Sequence, residues 1–280
     1  MTKVLAGFIM DGHGGGIDKY LLNFLDNVHT KEVQIDFLTN EIAPELESHL
    51  KKYGSRIFAI PNLKHPVGQY RSVCKIIEEG QYNMVYLNTS TAIDCIAAWA
   101  AKGKKIPRIL IHSHSSGNDC ESTLKRTIFD IIHKFCRMSL YRAGTEYYGC
   151  SKKAGIWMFP KEIVESDRFH TINAVDLTKF TYSSEIREEV RQELKLENKF
   201  VVGHVGNFVY QKNHYYLIDI FEQLKKKCPE AVLLLLGQGE RFENVRTIIR
   251  EKGLEDSVKL LGFRKDAQRL FQAMDFFVLP

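Results

Sequence analysis

Several features are missing from this 280-residue chain, and each absence removes a class of function. No apolar run approaches the roughly 18 residues that a membrane-spanning helix needs. The N-terminal MTKVLAGFIMDG passes directly into a strand-like run, with no signal-peptide core or cleavage site, so the expectation is a soluble, cytoplasmic protein. Cysteines at 74, 95, 120, 136, 150 and 228 form no CxxC pair and no metal-ligand spacing, which argues for free thiols in a reducing compartment and against structural zinc. The net charge of +5 is spread along the chain, and no basic stripe interleaved with aromatics points to nucleic acid. A dinucleotide fingerprint fails in both frames: GxGxxG from Gly12 meets Ile17, and from Gly14 it meets Lys19. Low-complexity segments are also lacking.

What is present is alternation. Short apolar runs at 4–10, 33–38, 56–60, 84–88 and 108–114 are separated by helix-like stretches at 17–29, 67–80 and 91–102. A second series follows: strands at 200–206, 231–237, 257–262 and in FFVLP, with helices near 213–227, 241–252 and 266–273. Parallel βα units with helices on both faces of the sheet fit that order. The polar HTINAVDLTKFTYSSEI reads as a linker near residue 180, giving two Rossmann-like α/β domains over 1–180 and 181–280. In tandem, such sheets hold ligands outside the carboxyl ends of their strands, so the loops after strands are the places to look.

Three loops carry candidate chemistry. Glycines at 14, 15 and 16 precede a helix beginning near Ile17 and would let a ligand reach main-chain N–H groups at its positive end; a plain tight turn explains them too. In RILIHSHSSGND, the strand period of two puts His112 and His114 on one side, available to a sugar hydroxyl or a phosphate. A metal reading of HxH lacks further ligands nearby, and a loop satisfying its own polar groups is the bland account. In VGNFVYQKNHYYLIDIF, Lys212 stands at a helix entrance, where a cation and unpaired backbone N–H groups converge on one anion. The glycine-bearing turns GQGE (237–240) and LGFRKD (261–266) lie on the same rim.

Those stretches carry a resemblance. VGNFVYQKNHYYLIDIF, LLLLGQGERFENVRTIIREKGLEDSVKLLGFRKD and AMDFFVLP resemble the donor-binding half of the family 4, group 1 type retaining glycosyltransferases of GT-B fold, especially bacterial enzymes of capsule or exopolysaccharide assembly. GGGIDKYLLNF, IHSHSS, GCSKKAGIWMF and INAVDLTKF occur in the order of that subgroup's acceptor domain. The resemblance implies two Rossmann-like domains facing a cleft, a nucleotide-diphosphate sugar as co-substrate, a glycan or lipid-linked acceptor, and neither cofactor nor metal. It places Lys212 on the donor diphosphate and Asn207 where many members carry a second cation. Gly15 and Gly16 match the glycine loop facing the donor phosphates and acceptor. His112 and His114 fall in the motif facing the transferred sugar, without distinguishing between them, and Gly262 and Phe263 lie near the nucleobase pocket. Family members continue past the FVLP strand with a Ser-rich loop and a Glu-x7-Glu motif; this chain stops at Pro280, on what reads as a central strand. The expectation is therefore a shortened second domain and compromised turnover.

Residues 122–143 read as a helix with Leu124, Ile128, Ile131, Ile132, Phe135 and Leu140 among Lys125, Arg126, Lys134, Arg137 and Arg142. Contact with an anionic membrane and an ordinary domain helix both fit that pattern. Two other functions remain open: a non-catalytic nucleotide-sugar-binding remnant or scaffold, and a metal-dependent hydrolase built on His112 and His114.

Overall fold

The computed structural model describes residues 1–7, 15–28, 32–42, 44–118 and 120–280. It divides into two compact units, Met1–Val175 and Asp176–Pro280. Gly12, Gly14, the end of the first apolar run (8–10) and Asp119 lie outside the described residues.

In the first unit, β1 (Thr2–Gly7), β2 (Val33–Thr39), β3 (Ile57–Ala59), β4 (Met84–Thr89), β5 (Arg108–Ser113), β6 (Glu146–Gly149) and β7 (Phe169–Thr171) form one parallel sheet in the order β3-β2-β1-β4-β5-β6-β7. The helices are α1 (Gly16–Val28), α2 (Pro44–Lys51), α3 (Pro66–Gly80), α4 (Ile96–Gly103), α5 (Thr123–Ala143), α6 (Lys152–Met158) and α7 (Lys161–Val164). Alternation along the strands separates two cores. Leu5, Val85, Leu87, Ile109 and Ile111 pack with residues of α3 and α4, whereas Val4, Ala6, Tyr86 and Leu110 pack with Leu21 and Leu25 of α1. Removing such a side chain from water contributes about 1.5–3 kcal/mol, which is what fixes the strand register. The same parity sends Asn88 and His112, paired across β4 and β5, to the α1 face.

The second unit holds α8 (Ser184–Glu193), β8 (Phe200–Val205), α9 (His214–Lys227), β9 (Ala231–Leu236), α10 (Phe242–Glu251), β10 (Val258–Gly262), α11 (Ala267–Phe271) and β11 (Phe276–Phe277). Its parallel sheet runs β10-β9-β8-β11. Val202, Leu233 and Leu235 face Leu217, Ile218 and Phe221 of α9, while Val201, Val232, Leu234 and Leu236 face Val190 and Leu270 on the other side. β11 is an edge strand here, paired with β8, and its two phenylalanines are exposed.

α5 is an unusual helix. Its buried residues are His133, Leu140 and Ala143, so its inward face is small and partly polar. Leu124, Ile128, Ile131, Phe135 and Met138, at spacings of four and three, form a stripe directed at solvent, with Leu124 72%, Phe135 70% and Met138 60% exposed.

Candidate functional site

At the carboxyl end of the first sheet, His112 is the penultimate residue of β5 and His114 follows Ser113, the last. Their rings lie 4.1 Å apart between centroids, and Tyr20, one turn into α1, sits 5.2 Å from each. Gly16 begins that same helix and Gly15 precedes it. Among the described residues a Cβ on either would meet nothing within 4 Å, so packing against those residues does not require glycine at these two positions.

The hydrogen bonds fix both imidazoles. Asn88 is fully buried; its amide nitrogen donates to the carbonyls of Gly7 and Tyr86 at 3.4 and 3.5 Å, which turns Oδ1 toward His114 Nε2 at 2.9 Å. The opposite amide orientation would set Oδ1 against two carbonyl oxygens. His114 therefore carries its proton on Nε2 and keeps a lone pair on Nδ1. The Tyr86 hydroxyl lies 2.7 Å from His112 Nδ1 and 2.9 Å from the Tyr20 hydroxyl. Burial raises the pKa of both phenols, so their protons stay. A phenol is the better donor to an imidazole, so Tyr20 donates to Tyr86, Tyr86 donates to Nδ1, and His112 holds its proton on Nε2.

His112 is fully buried, and its Nε2 makes no hydrogen bond among the described residues. Burial and the neighbouring His114 push its pKa down to about 3, with the Ile172 backbone offsetting part of the shift. His114 is half-buried, and desolvation lowers its pKa to about 4. Both rings are neutral near pH 7. A neutral ring with an outward lone pair accepts a hydrogen bond, and a sugar hydroxyl is a donor of the right kind.

The second unit builds a different surface at the end of β8. Gly206 follows the strand, Asn207 is exposed, and the chain turns through Tyr210–Lys212 into α9, with Asn213 at φ 42°. Lys212 is half-buried, its stem lying over Gly206: a Cβ there would stand 3.4 Å from Lys212 Cγ and Cδ and 2.9 Å from His204 Nε2. The neighbouring turns are tied in through backbone. Gly206 N donates to Leu236 O, Phe208 N to Gln238 O, and Gly237 N to Gly262 O, each at 2.9 Å. Gly262 has φ 66°, and Phe263 beside it is 45% exposed.

Beneath Lys212 lies a pair that sequence reasoning missed. His204 (β8) and His214 (first residue of α9) are buried with ring centroids 4.9 Å apart, and His214 stacks on Phe208 at 4.0 Å. His204 Nδ1 donates to Val278 O at 2.8 Å; its Nε2 and both nitrogens of His214 have no partner among the described residues. Desolvation lowers both pKa values, with the Val278 carbonyl offsetting part of the shift at His204 and the neighbouring His204 and Lys212 adding to it at His214, which falls to about 4. Tyr20, Tyr86 and Asn88 were missed as well. For Asn88 a signal existed, since it ends an apolar strand run on the rim where ligands gather. Among the described residues no group of three His, Cys, Asp or Glu is placed to hold a metal ion.

Comparison with known proteins bears on this geometry. The model for "Glycosyl transferases group 1" matches residues 185–280. An uncharacterized glycosyltransferase of Haemophilus influenzae is 31% identical over 282 residues, covering 99% of this chain and 74% of the relative. The chain belongs to the glycosyltransferases. A putative glycosyltransferase of Bacillus subtilis, EpsF, is 26% identical over 286 residues, covering 100% of this chain and 72% of its own. Anabaena HepE, solved in complex with UDP-glucose, superposes with a TM-score of 0.77 at 20% identity, covering 99% of this chain and 73% of that one. That likeness, which extends through both units, gives this glycosyltransferase the GT-B fold of two Rossmann-like lobes.

Proposed function

We propose that the protein transfers a glycosyl group from a nucleotide-diphosphate sugar to a glycan or lipid-linked acceptor in bacterial surface-polysaccharide assembly, with retention at the anomeric carbon. An acceptor hydroxyl bonds to the anomeric carbon as its bond to the diphosphate oxygen breaks, and the hydroxyl proton leaves with the nucleoside diphosphate. Negative charge grows on that leaving group. Lys212, the Asn207 amide and the start of α9 are the groups assigned to stabilise it, with Gly15 and Gly16 leaving room for the phosphates and Gly262 and Phe263 beside the base. His114 accepts from a hydroxyl of the transferred sugar through Nδ1, and buried His112 supports it from below.

The observation that carries this reading is Lys212 held over Gly206 at the end of a parallel strand, directly before a 14-residue helix. Further support comes from relatives whose names specify such transfers: an Escherichia coli protein, 24% identical over 277 residues, is a UDP-Gal:alpha-D-GlcNAc-diphosphoundecaprenol alpha-1,3-galactosyltransferase. Calorimetry against uridine, guanosine and adenosine diphosphosugars tests the reading. Saturable heat from one of them, lost in Lys212→Ala, is expected; folded protein that binds none of them overturns it.

The exposed stripe of α5 favours a peripheral membrane contact through residues 122–143, at the inner face where a lipid-linked acceptor would be met. Among the described residues no helix is long and apolar enough to cross a membrane. Five large apolar side chains on one solvent-facing stripe, with Lys125, Lys134 and Arg142 close by, suit a helix lying in the plane of an anionic surface. Flotation with phosphatidylglycerol vesicles checks this, and no lipid-dependent binding would remove it.

A further inference from the structure

Beside the α5 stripe, on the side facing α6, lies a cavity of about 620 Å³ whose walls include Asp130, His133, Lys134, Arg137, Lys153 and Trp157. Its charge is lopsided, with two lysines and an arginine against one aspartate. Its size falls in the range of small-molecule sites.

The back wall is rigid. His133 is buried, with Nδ1 taking the Ala92 N–H at 3.1 Å and Nε2 donating to Trp157 O at 3.0 Å. The Trp157 indole stacks on this imidazole at 3.8 Å and donates to Ser90 O at 3.0 Å. Against that wall Arg137 is only partly satisfied. Its guanidinium donates to Phe159 O, but Nε is buried and has no hydrogen-bond partner among the described residues. Burial lowers its pKa, and the Glu162 carboxylate offsets only part of that effect. A half-buried guanidinium with one buried N–H unpaired is stabilised by an anion beside it. Lys134 and Lys153 are both exposed, stand on different helices and line the same pocket, and their long side chains leave the ammonium groups mobile.

We propose that this pocket binds a phosphate group, with Arg137 as the fork and Lys134 and Lys153 as mobile cations. Two sources share that chemistry: the headgroup of an anionic phospholipid, and a free phosphate ester. Because the apolar stripe runs along the same helix, a phospholipid could lay its chains on α5 while its phosphate enters the pocket. That arm rests on the membrane contact inferred above, whereas the pocket itself does not.

Trp157 provides a local reporter, since the chain has only one other tryptophan, Trp99. In a Trp99→Phe background, sn-glycerol 1-phosphate should change Trp157 emission saturably. Lys153→Gln and, separately, Arg137→Gln should each weaken that response by about tenfold, the worth of one charged hydrogen bond. Lys125→Gln, on α5 but not lining the pocket, should leave it unchanged. Should Arg137→Gln disturb folding, Lys153→Gln at the exposed rim still decides. Competition by phosphatidylglycerol vesicles, but not by phosphatidylcholine vesicles, identifies the lipid source. A saturable response without vesicle competition keeps the pocket as a site for a soluble ester and removes the lipid source. No saturable response, or equal losses in Lys125→Gln and Lys153→Gln, overturns the proposal.

Discussion

Each lobe keeps a pair of buried or half-buried histidines at the carboxyl end of its sheet, and the two pairs are finished differently. In the first lobe Tyr20, Tyr86 and Asn88 engage one nitrogen of each ring, so the fold itself decides which nitrogen carries the proton. In the second lobe only His204 is engaged, by the Val278 carbonyl, and three ring nitrogens beside Lys212 have no partner among the described residues. Buried polar groups are nearly always paired, so a site built for one ligand orientation looks like the first pair, and a site that leaves proton positions open looks like the second. The first lobe presents a fixed acceptor. The second presents a cation over a soft, neutral floor.

The largest effect that would break this contrast is expected at Lys212. Lys212→Ala should slow transfer by roughly two to three orders of magnitude, as loss of one leaving-group donor does, with the melting temperature nearly unchanged. Turnover close to wild type would remove the phosphate role. The two histidines of the first lobe should then separate by kind of damage. His112→Ala opens a cavity and strands the Tyr86 hydroxyl, so it should cost about 2–4 kcal/mol of stability in denaturant titrations. His114→Ala should cost under about 1 kcal/mol of stability while lowering kcat/KM by about tenfold.

Acid should reveal both pairs together. In the folded chain His112, His114 and His214 protonate only near pH 3, 4 and 4, below the ordinary value of 6.5. Between those values the unfolded chain binds more protons, so stability is whole above pH 6.5 and falls as pH drops toward 4, by on the order of 3 kcal/mol for each of the three rings. Urea titrations across that range check it, and His214→Gln should flatten the slope from the second lobe alone. The smallest effect is expected at Asn88. Asn88→Asp should raise the His114 pKa by placing a carboxylate on Nε2, displacing the acid limb of the pH–rate profile upward by about one unit. An unmoved profile would detach Asn88 from His114.

Much of this was legible in the sequence, for identifiable reasons. Long parallel strands buried on both faces announce themselves, and β1, β2, β4, β5, β8 and β9 appear close to the apolar runs that define them. His112 and His114 share a face because the period of a strand allows nothing else. The region 146–171 was opaque: β6 is four residues of mixed polarity, and α6 and α7 are too short to show a period. In α9 the buried face is Leu217, Ile218 and Phe221, while the equally apolar Ile220 is exposed. α5 was misleading in a more basic way, because apolar spacing marks a face without saying what covers it, and here His133, Leu140 and Ala143 turn inward while the larger residues do not. The pair His204 and His214 sits inside ordinary strand and helix patterns, where a single histidine carries no signal until the fold brings a second one against it.

The glycine turns of the second lobe have one more consequence. Gly237, at φ 143°, brings its Cα so near the preceding rim that a methyl group there would stand 2.0 Å from Gly206 O, and one on Gly239 would stand 2.6 Å from Phe208 O. Main chain meets main chain with nothing between. The shape under Lys212 is thus written in peptide groups, which every sequence supplies alike, and a single added carbon at either glycine would force the two turns apart.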